Sequence, residues 1–476
     1  MMLLRRLCLL LCLSTTAFAA PTQEWFALKL GDQRIGYIER SREVRDGVVE
    51  SREYFRARLN RNGVPLTITT EENHRETADG RPLGFSFRQK LGGSELRMSG
   101  TLLDGDQVRV RVRQGKASTQ RHITWPEGAL LMEGVRLRER ALRDHPGQRL
   151  SYRMFNPASL EGVDTEARMA ARESLRIGER EFDAYRIEHL LAIAQSPVRV
   201  ISHVDADGEL LRTTLPLFGR ELLIERADAR VVSLPQSRPD VYDFTLVAAP
   251  EALRQHWRDQ NLRYRIEFAR RDDGAGLPGD EQEWQPLGKG RFDLWVTPTR
   301  LRVAQHAPLP ADLSSTTWIN TDDPAIRRHA ERATAWARTP AQRMSALERS
   351  VRGRIDRKSL RVGYASASEA FAQREGDCTE HAVLLAAMAR SLGIPARIVI
   401  GLVYAERFGH RGQVFVPHAW TQAWIDGRWQ SYDAAQPGFG SDHIALAVGR
   451  GDPADYYASL ERIGAMRIES VQPETP

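Results

Sequence analysis

The sequence predicts an α+β protein in which antiparallel β structure fills the first part of the chain and a mixed helical domain fills the last part. Two patterns lead to this fold class. Apolar and polar residues alternate around turn pairs through residues 25–232. After Ser314, capping residues followed by proline introduce helical segments. We expect a central cysteine-bearing helix that packs on an antiparallel sheet.

The chain is expected to divide into four segments. They are a signal peptide (1–19), a β-rich N-terminal domain (20–235), a smaller strand-rich domain (236–312) and the mixed helical domain (313–476). The signal peptide is predicted because Arg5 and Arg6 precede an apolar run that ends in the small-residue pattern Ala17-Phe18-Ala19. Such a segment predicts secretion across the inner membrane of a bacterium, with the periplasm as the destination.

Composition and charge indicate a folded globular protein and argue against nucleic acid as a partner. Of 476 residues, 27% are charged and 41% are apolar, which is typical of a folded globular protein. The formal net charge of +6 is small beside 68 basic and 62 acidic residues, and no basic stripe is interleaved with aromatics, so nucleic acid is not an expected partner. Beyond the signal, no stretch approaches the roughly 20 apolar residues of a transmembrane helix.

The β segments have clear strand signals. In "DQVRVRVRQ" the apolar residues Val108, Val110 and Val112 share one face, and Asp207-Gly208 is a favoured hairpin turn. In the segment 236–312, "LRYRIEFAR" and "GRFDLWVTP" read as strands separated by a Gly- and acid-rich loop at 272–283. A Pro- and Ser-rich stretch, "SLPQSRPD", is the predicted linker before this segment.

Helices are expected after two proline-initiated caps. Asp323 and Thr339 each precede a proline, and Thr339 has Gln342 three residues later as a capping-box partner. These signals predict helices that begin at Pro324 and Pro340.

A third helix is predicted in "GDCTEHAVLLAAMARSLGIP". Asp377 is the expected N-cap with Glu380 as its reciprocal partner, and Gly393 is the expected stop. Cys378 would then be the first helical residue, where the helix dipole and unpaired N–H groups favour a thiolate and an oxyanion. A buried structural thiol is the alternative.

Cys378 is the single cysteine of the mature chain, because Cys8 and Cys12 leave with the predicted signal. An intramolecular disulfide is therefore not expected in an oxidising compartment. A nucleophilic thiol in such a compartment benefits from having no partner cysteine that could trap it as a disulfide.

The base for this thiol is expected on a downstream hairpin, "VFVPHAWTQAWIDGRWQSYDAA". The turn pair Asp426-Gly427 fixes a register in which His418 and Asp433 are diagonal neighbours, with Cβ atoms about 7 Å apart. A histidine that takes the thiol proton and a carboxylate that orients the imidazole complete a thiol-enzyme triad. The alternative is that His418 and Asp433 are ordinary surface strand residues.

Three further residues are substrate-cleft candidates. His381 lies one helical turn from Cys378, Trp420 shares the strand face of His418, and His443 follows the hairpin. A zinc site built from Cys378, His381 and His418 is disfavoured, because the chain lacks paired-ligand spacings. We therefore predict no metal and no cofactor.

The stretches "GDCTEHAVLLAAMARSLGIPARIVIGLVY", "HAW" and "WIDGRWQSYD", in that order, resemble the transglutaminase-like superfamily, whose core is a papain-like thiol fold. The resemblance covers residues 323–447 and leaves the β region unexplained. It implies that Cys378 is the nucleophile, His418 the general base and Asp433 the orienting carboxylate.

The resemblance also implies acyl transfer, in which sulfur attacks a peptide or protein amide and the thioester is resolved by water or by an amine. We favour a peptidase or amidase over a crosslinking enzyme, because water needs no second binding site. The alternative is a non-catalytic cell-envelope binding or assembly protein that uses its β domains, with the transglutaminase-like fold as scaffold. An envelope protein that contacts the N-terminal β domain is a possible partner.

Overall fold

The computed structural model describes residues 22–474 apart from 116, 143, 144, 146, 194, 195, 270–273, 275 and 299–305. The predicted signal peptide, with Cys8 and Cys12, lies outside the described residues, as does part of the predicted loop 272–283. Within the described ranges, no helix is both long and apolar enough to cross a membrane.

The first half of the chain forms one large sheet, which confirms the predicted β-rich antiparallel region. The sheet order runs from β8 back to β1 and continues from β15 back to β9, and only the β9–β10 pair is parallel. The strands are β1 (Thr22–Leu30), β2 (Gln33–Arg45), β3 (Val48–Arg61), β4 (Val64–Thr77), β5 (Pro82–Leu91), β6 (Ser94–Leu102), β7 (Gln107–Gln114), β8 (Ala117–Thr124), β9 (Ala129–Leu130), β10 (Arg149–Asn156), β11 (Glu161–Ile177), β12 (Arg180–Ile193), β13 (Ser196–Val204), β14 (Leu210–Leu217) and β15 (Arg220–Ala227).

The two faces of this sheet differ in exposure. On β7 the predicted alternation is confirmed, because Val108, Val110 and Val112 are buried while Arg109 and Arg111 between them are exposed. Side chains from β1–β4 and from β10–β14 line one common cavity together with helix α1 (Met132–Arg140). The sheet therefore curls around α1 and has an enclosed inner face.

A linker with short elements follows the sheet and stays in contact with it. It contains two 3₁₀ turns (Ala229–Val232 and Gln255–Asp259), helix α2 (Tyr242–Thr245) and strand β16 (Val247–Ala248). The backbone N–H of Ser237 donates to Arg34, and Asp240 bridges to Asn60 at the end of β3. The linker thus packs against the hairpin that joins β3 to β4.

The remaining strands form three smaller sheets. A five-stranded sheet has the order β16-β23-β22-β25 with β24 paired to β23, a four-stranded sheet has the order β18-β19-β17-β26, and β20 pairs with β21. The strands are β17 (Leu262–Phe268), β18 (Gln282–Gly288), β19 (Arg291–Val296), β20 (Arg357–Lys358), β21 (Glu375–Gly376), β22 (Ala396–Phe408), β23 (Arg411–Ile425), β24 (Arg428–Tyr432), β25 (His443–Gly449) and β26 (Met466–Pro473). The four-stranded sheet combines the predicted 236–312 segment with the last strand of the chain.

The helices of the C-terminal part begin at the predicted caps. They are α3 (Pro324–Ala333), α4 (Pro340–Arg354), α5 (Ala367–Gln373), α6 (Cys378–Ser391) and α7 (Pro453–Gly464), with a further 3₁₀ turn at Pro310–Asp312. Asp323 accepts hydrogen bonds from the first turn of α3, and Thr339 and Gln342 form a reciprocal capping box at α4. Both sequence-predicted helix starts are confirmed.

Helix α6 is the centre of its domain, which confirms the expected cysteine-bearing helix on an antiparallel sheet. Asp377 Oδ1 accepts the Thr379 N–H at 2.9 Å, and Glu380 Oε2 accepts the Asp377 N–H at 2.8 Å. The body of α6 from Thr379 onward is buried on every side, and Thr421 Oγ1 on β23 donates to its Ala382 carbonyl at 2.9 Å. The helix is thereby held against the strand that carries His418.

Candidate active site

Cys378 lies at the first position of α6, where the sequence predicted it. Its half-buried side chain packs against the main hydrophobic core, and its sulfur accepts a hydrogen bond from the backbone N–H of Ala419 on β23. Ala419 immediately follows His418, so the sulfur is next to the strand position of the predicted base. The structure therefore brings helix α6 and the His418 segment together.

The thiol is held in its neutral form in this arrangement. Burial raises the pKa of Cys378 well above its ordinary value and the Asp377 carboxylate raises it further, while the Ala419 hydrogen bond and Arg61 oppose them. The sequence predicted that the helix terminus would favour the thiolate. Cys378 does lie at the N-terminus of α6, but the effect of desolvation on the thiol pKa outweighs that of the helix terminus.

His418 and Asp433 meet through the hairpin register that the sequence predicted. Ile425 pairs with Arg428, and the ladder ends where Thr421 pairs with Tyr432, one residue before Asp433. His418 Nε2 lies 2.7 Å from Asp433 Oδ2, and both side chains are buried. Because Nε2 is engaged by the carboxylate, Nδ1 is the nitrogen that remains for proton transfer.

The Asp433 carboxylate is ionised. Its Oδ1 accepts the backbone N–H groups of Ala435 at 2.8 Å and Gln436 at 3.2 Å. Burial alone would raise the pKa of Asp433, but His418 and His443 outweigh burial through charge and hydrogen bonds and hold it well below its usual range. Asp433 therefore acts only as an acceptor in this site.

His443 joins the site as a second partner of Asp433. Its Nε2 lies 2.9 Å from Asp433 Oδ2 and its Nδ1 lies 2.8 Å from Asp442 Oδ1. Two ionised carboxylates accept but cannot donate, so both ring nitrogens must carry protons. Burial lowers the pKa of His443, yet the bonds to Asp433 and Asp442 dominate and raise it to about 9.

Sequence reasoning missed the outer part of this network. Asp442 is also 2.6 Å from the Arg258 guanidinium, and Glu348 on α4 accepts the Asp433 backbone N–H at 3.0 Å. The sequence places Asp442 beside His443, but neither spacing nor periodicity points to Arg258 or Glu348, because both come from other elements. The alternating charges of Asp433, His443, Asp442 and Arg258 form one chain, which is buried except at the half-buried Arg258.

The three predicted cleft residues are buried in this structure. His381 and Trp420 are each 1% exposed, as is His443. His381 Nδ1 is 2.6 Å from the Asp377 carbonyl, and its Nε2 is buried without a hydrogen-bond partner. Trp420 donates to Ser431 at 3.0 Å and lies beside the His418 ring. None of the three lines an open cleft in this arrangement.

The ligand atoms of His418, Asp433 and His443 lie within 4.8 Å of one another, a spacing that could hold a metal ion. This group omits Cys378 and His381, two members of the zinc set considered from the sequence. The Asp433 Oδ2 atom already accepts hydrogen bonds from both imidazoles. Proton-bearing nitrogens cannot also be metal ligands, so the observed bonds and metal binding exclude each other.

The N-terminal sheet contacts the site beside Cys378. At the β3–β4 turn, Arg61 Nη2 donates to Asp377 Oδ2 at 2.6 Å and Nη1 donates to the Leu360 carbonyl at 3.3 Å. Burial raises the pKa of Asp377, but Arg61 and the Thr379 hydrogen bonds outweigh it, so the pKa is below its usual value. The N-terminal sheet thus contributes the counter-ion of the residue that caps α6.

This contact is closely packed. The Asp240 carboxylate accepts the backbone N–H groups of Asn62 at 3.0 Å and Gly63 at 2.6 Å, which anchors the hairpin turn. Burial raises the pKa of Tyr242 on α2 and of Tyr456 on α7, and both phenols lie close enough to Cys378 for a charge on its sulfur to raise it further. A cavity of about 20 Å³ remains among these elements. The sequence could not predict this contact, because hairpin and nucleophile are far apart in the chain.

Comparison with known proteins identifies part of this chain. Residues 327–434 match the model of the transglutaminase-like superfamily. An uncharacterized protein of Mycobacterium leprae (strain TN) is 31% identical over 114 residues, which is 23% of this chain. The matched region spans only 41% of the length of that protein.

Two solved structures resemble larger parts of the chain. A β-barrel-like protein of a domain of unknown function from Brucella abortus aligns with 44% of this chain and 96% of its own, at 12% identity and a TM-score of 0.36. A protein from Cytophaga hutchinsonii, provisionally assigned as a cysteine protease, aligns with 46% of this chain and 84% of its own, at 16% identity and a TM-score of 0.27.

Proposed function

The chain carries a transglutaminase-like domain at residues 327–434, and from this premise we propose that it is a thiol-dependent acyl-transfer enzyme acting on peptide or protein amide bonds. One observation carries the proposal. His418 on β23 is hydrogen-bonded to Asp433, which follows β24, and the backbone N–H of Ala419, the residue after His418, reaches the sulfur of Cys378. This arrangement supports the proposal that Cys378 is the nucleophile, His418 the base and Asp433 the orienting carboxylate.

The proposed reaction has two halves. His418 Nδ1 takes the Cys378 proton while the sulfur attacks the amide carbonyl, and the positive end of α6 stabilises the oxyanion. The imidazolium then gives that proton to the leaving amine, and an acyl thioester remains. Water, deprotonated by His418, hydrolyses the thioester and restores the thiol. Throughout, Asp433 holds the imidazole orientation and stabilises its charged form.

We propose hydrolysis rather than crosslinking as the second half, because water needs no binding site of its own. Mass spectrometry of a peptide mixture, digested with and without an added primary amine, separates the two. Shortened peptides with free carboxyl ends are expected under both conditions. Amine-conjugated peptides as the dominant product would instead assign a crosslinking activity.

We also propose that the protein is secreted across the inner membrane and acts in the periplasm. Secretion and periplasmic location rest on the predicted signal peptide at residues 1–19 and on the single thiol of the mature chain. A peptide or protein substrate of the cell envelope follows, and the N-terminal sheet is the proposed contact surface for an envelope partner. Fractionation of cells expressing the full chain is expected to recover it in the periplasmic fraction, and recovery in the cytoplasm would contradict this localisation.

Thiol reactivity tests the pairing of Cys378 with His418. Iodoacetamide alkylation at pH 7 is compared for the wild type, His418→Ala and the control His410→Ala, whose side chain is exposed in the turn before β23. Loss of the general base should slow alkylation about a hundredfold, and the control should not change it.

Because the β3–β4 hairpin packs against Asp377, the residue before Cys378, we propose that it limits access to the thiol. The alkylation comparison is therefore repeated with Asp240→Ala, which removes the anchor of the hairpin turn. If His418→Ala leaves the alkylation rate unchanged both in the wild-type chain and in the Asp240→Ala chain, His418 is not the base. If His418→Ala slows alkylation only in the Asp240→Ala chain, the result supports His418 as the base and shows that the hairpin limits access to Cys378.

A further inference from the structure

The N-terminal sheet encloses a cavity that the proposed chemistry does not use. Its volume is about 530 Å³, and its walls come from β1–β4, β10–β14 and α1. None of the lining residues belongs to α6 or to the β23 strand of His418. This cavity is therefore a separate feature with its own candidate ligand.

Two buried imidazoles that line this cavity have ring nitrogens without hydrogen-bond partners, although His189 Nδ1 lies 3.4 Å from Glu139 Oε1. His74 on β4 is 5% exposed and neither ring nitrogen has a partner, while Nε2 of His189 on β12 is also unpartnered. His74 Nε2 lies 3.5 Å from Glu72 Oε2. Buried polar groups are normally hydrogen-bonded, and leaving them unpaired is costly. A bound molecule inside the cavity would satisfy them.

The charge of the lining is unbalanced toward acid. Glu53 on β3 stands directly opposite Glu72 on β4, and Arg40 pairs with Glu53 at 2.5 Å. Glu72 is thus left beside a like charge, and burial together with Glu53 raises its pKa to about 7. The lining acids are Glu24, Glu53, Glu72, Glu133, Glu139, Asp207 and Glu209, against the bases Arg40, Arg42, Arg136 and Arg140.

The rest of the lining is apolar and can accommodate a hydrocarbon or aromatic body. The main contributors are Leu131, Met154, Phe155, Ile187, Leu191 and Val204. Small-molecule sites combine such walls with a few polar groups that orient the ligand. Here the polar groups are the Glu72 carboxylate and the unpartnered ring nitrogens of the two imidazoles.

We propose that this cavity binds an organic cation with an apolar body, whose ammonium group pairs with Glu72 and whose body fills the apolar walls. Ionised Glu72 supplies the negative charge for the ammonium group, because Arg40 pairs with Glu53 instead. Neutral His74 and His189 add hydrogen bonds, which fix the position of the head group. This binding site is independent of acyl transfer at Cys378.

Calorimetric titration of the full chain at pH 8, where Glu72 is ionised, tests the site with three probes that share one body. They are 4-phenylbutylamine, 4-phenylbutan-1-ol and 4-phenylbutanoate. The amine is expected to bind at least about tenfold more tightly than the alcohol, as one charged hydrogen bond predicts. The carboxylate is expected to bind most weakly, because it meets the acidic lining.

Two variants locate the binding. Glu72→Gln should weaken amine binding about tenfold, while Glu71→Gln should not, because Glu71 is on the opposite face of β4 and pairs with Arg52 at 2.9 Å. Absence of amine binding, equal binding of alcohol or carboxylate, or an unchanged affinity in a folded Glu72→Gln chain would each overturn the proposal. The probe comparison needs no variant, so it stands even where Glu72→Gln fails to fold.

Discussion

His443 shows at the scale of one residue how burial and hydrogen bonding fix the charges of this site. Its ring lies between two carboxylates and is fully buried, so its positive charge is matched on both sides. This charge sits next to Asp433, the same carboxylate that orients His418. His443 is therefore a positioning residue of the proposed triad, and its imidazolium form excludes it as the general base near neutral pH.

The stability of the protein should depend on the proton of His443. The pKa of His443 rises from an ordinary 6.5 to about 9 on folding, so its contribution is complete below pH 6.5 and is lost as the pH rises to 9. The expected contribution is about 3 kcal/mol.

Urea unfolding of wild type and His443→Gln across this pH range measures the effect of that proton. The difference in free energy of unfolding should shrink as the pH rises from 6.5 to 9. A difference that is constant across the range would show that His443 is neutral in the folded protein.

Residue-level prediction from the sequence succeeded where contacts are local. The Asp426-Gly427 turn was enough to place His418 beside Asp433, and the cap residues Asp377 and Glu380 were enough to place Cys378 at a helix start. The pKa of Cys378 could not be predicted in this way, because desolvation of the thiol depends on side chains brought in by distant elements.

At the scale of elements, the central strand β22 has no room for a side chain at Gly401. A Cβ there would lie 2.0 Å from the Ile444 carbonyl oxygen of the neighbouring strand β25. Gly401 also pairs with His418 across β22 and β23. Close approach of three strands at this point therefore depends on glycine.

Gly401→Ala should destabilise the protein by about 3 kcal/mol, since overpacking forces the strands apart. Gly412→Ala is the matched control, because its Cβ would meet its nearest neighbour at an ordinary 3.5 Å. Denaturant unfolding measures both. A Gly401→Ala chain as stable as the control would contradict the close packing of β22 against β25.

The β3–β4 hairpin should control access to Cys378. Asp240→Ala removes the acceptor of two backbone N–H groups in the turn, so the turn should open more often and a bulky maleimide should modify Cys378 about tenfold faster. Asp243→Ala is the control, since exposed Asp243 pairs with Arg411 and does not anchor the turn. Equal modification rates in the two variants would contradict a covering role for the hairpin.

At the scale of the whole molecule, strand pairing joins distant parts of the chain. The last strand, β26, pairs with β17 and buries Met466, Ile468 and Val471. One hydrophobic core includes residues of the N-terminal sheet and of the C-terminal domain. The N-terminal sheet and the C-terminal domain are therefore expected to depend on each other for stability.

Removing β26 should be strongly destabilising. A chain that ends at Ala465 loses three buried side chains, worth about 6 kcal/mol together, and leaves one edge of β17 unpaired. A chain that ends at Glu474 keeps the strand and is the control. Thermal unfolding should show a large loss of stability only in the shorter chain, and equal melting temperatures would contradict the pairing.

Whole-molecule organisation was the least predictable from sequence. Alternation in β7 predicts which face is buried, but it does not say which strand lies alongside, so the fifteen-strand order could not be inferred. The same limit applies to β26, which pairs with a strand about two hundred residues earlier. Fold class was accessible because it needs only local periodicity and caps.

Acyl transfer to Cys378 is the central claim, and a reaction with 4-nitrophenyl acetate tests it most directly. The sulfur should displace nitrophenolate and retain an acetyl group as a thioester, which peptide mapping by mass spectrometry would locate. We predict a burst of nitrophenolate and acetylated Cys378 in the Asp240→Ala chain, with neither after a further His418→Ala substitution. Acetylation confined to other residues, or an undiminished burst without His418, would contradict it.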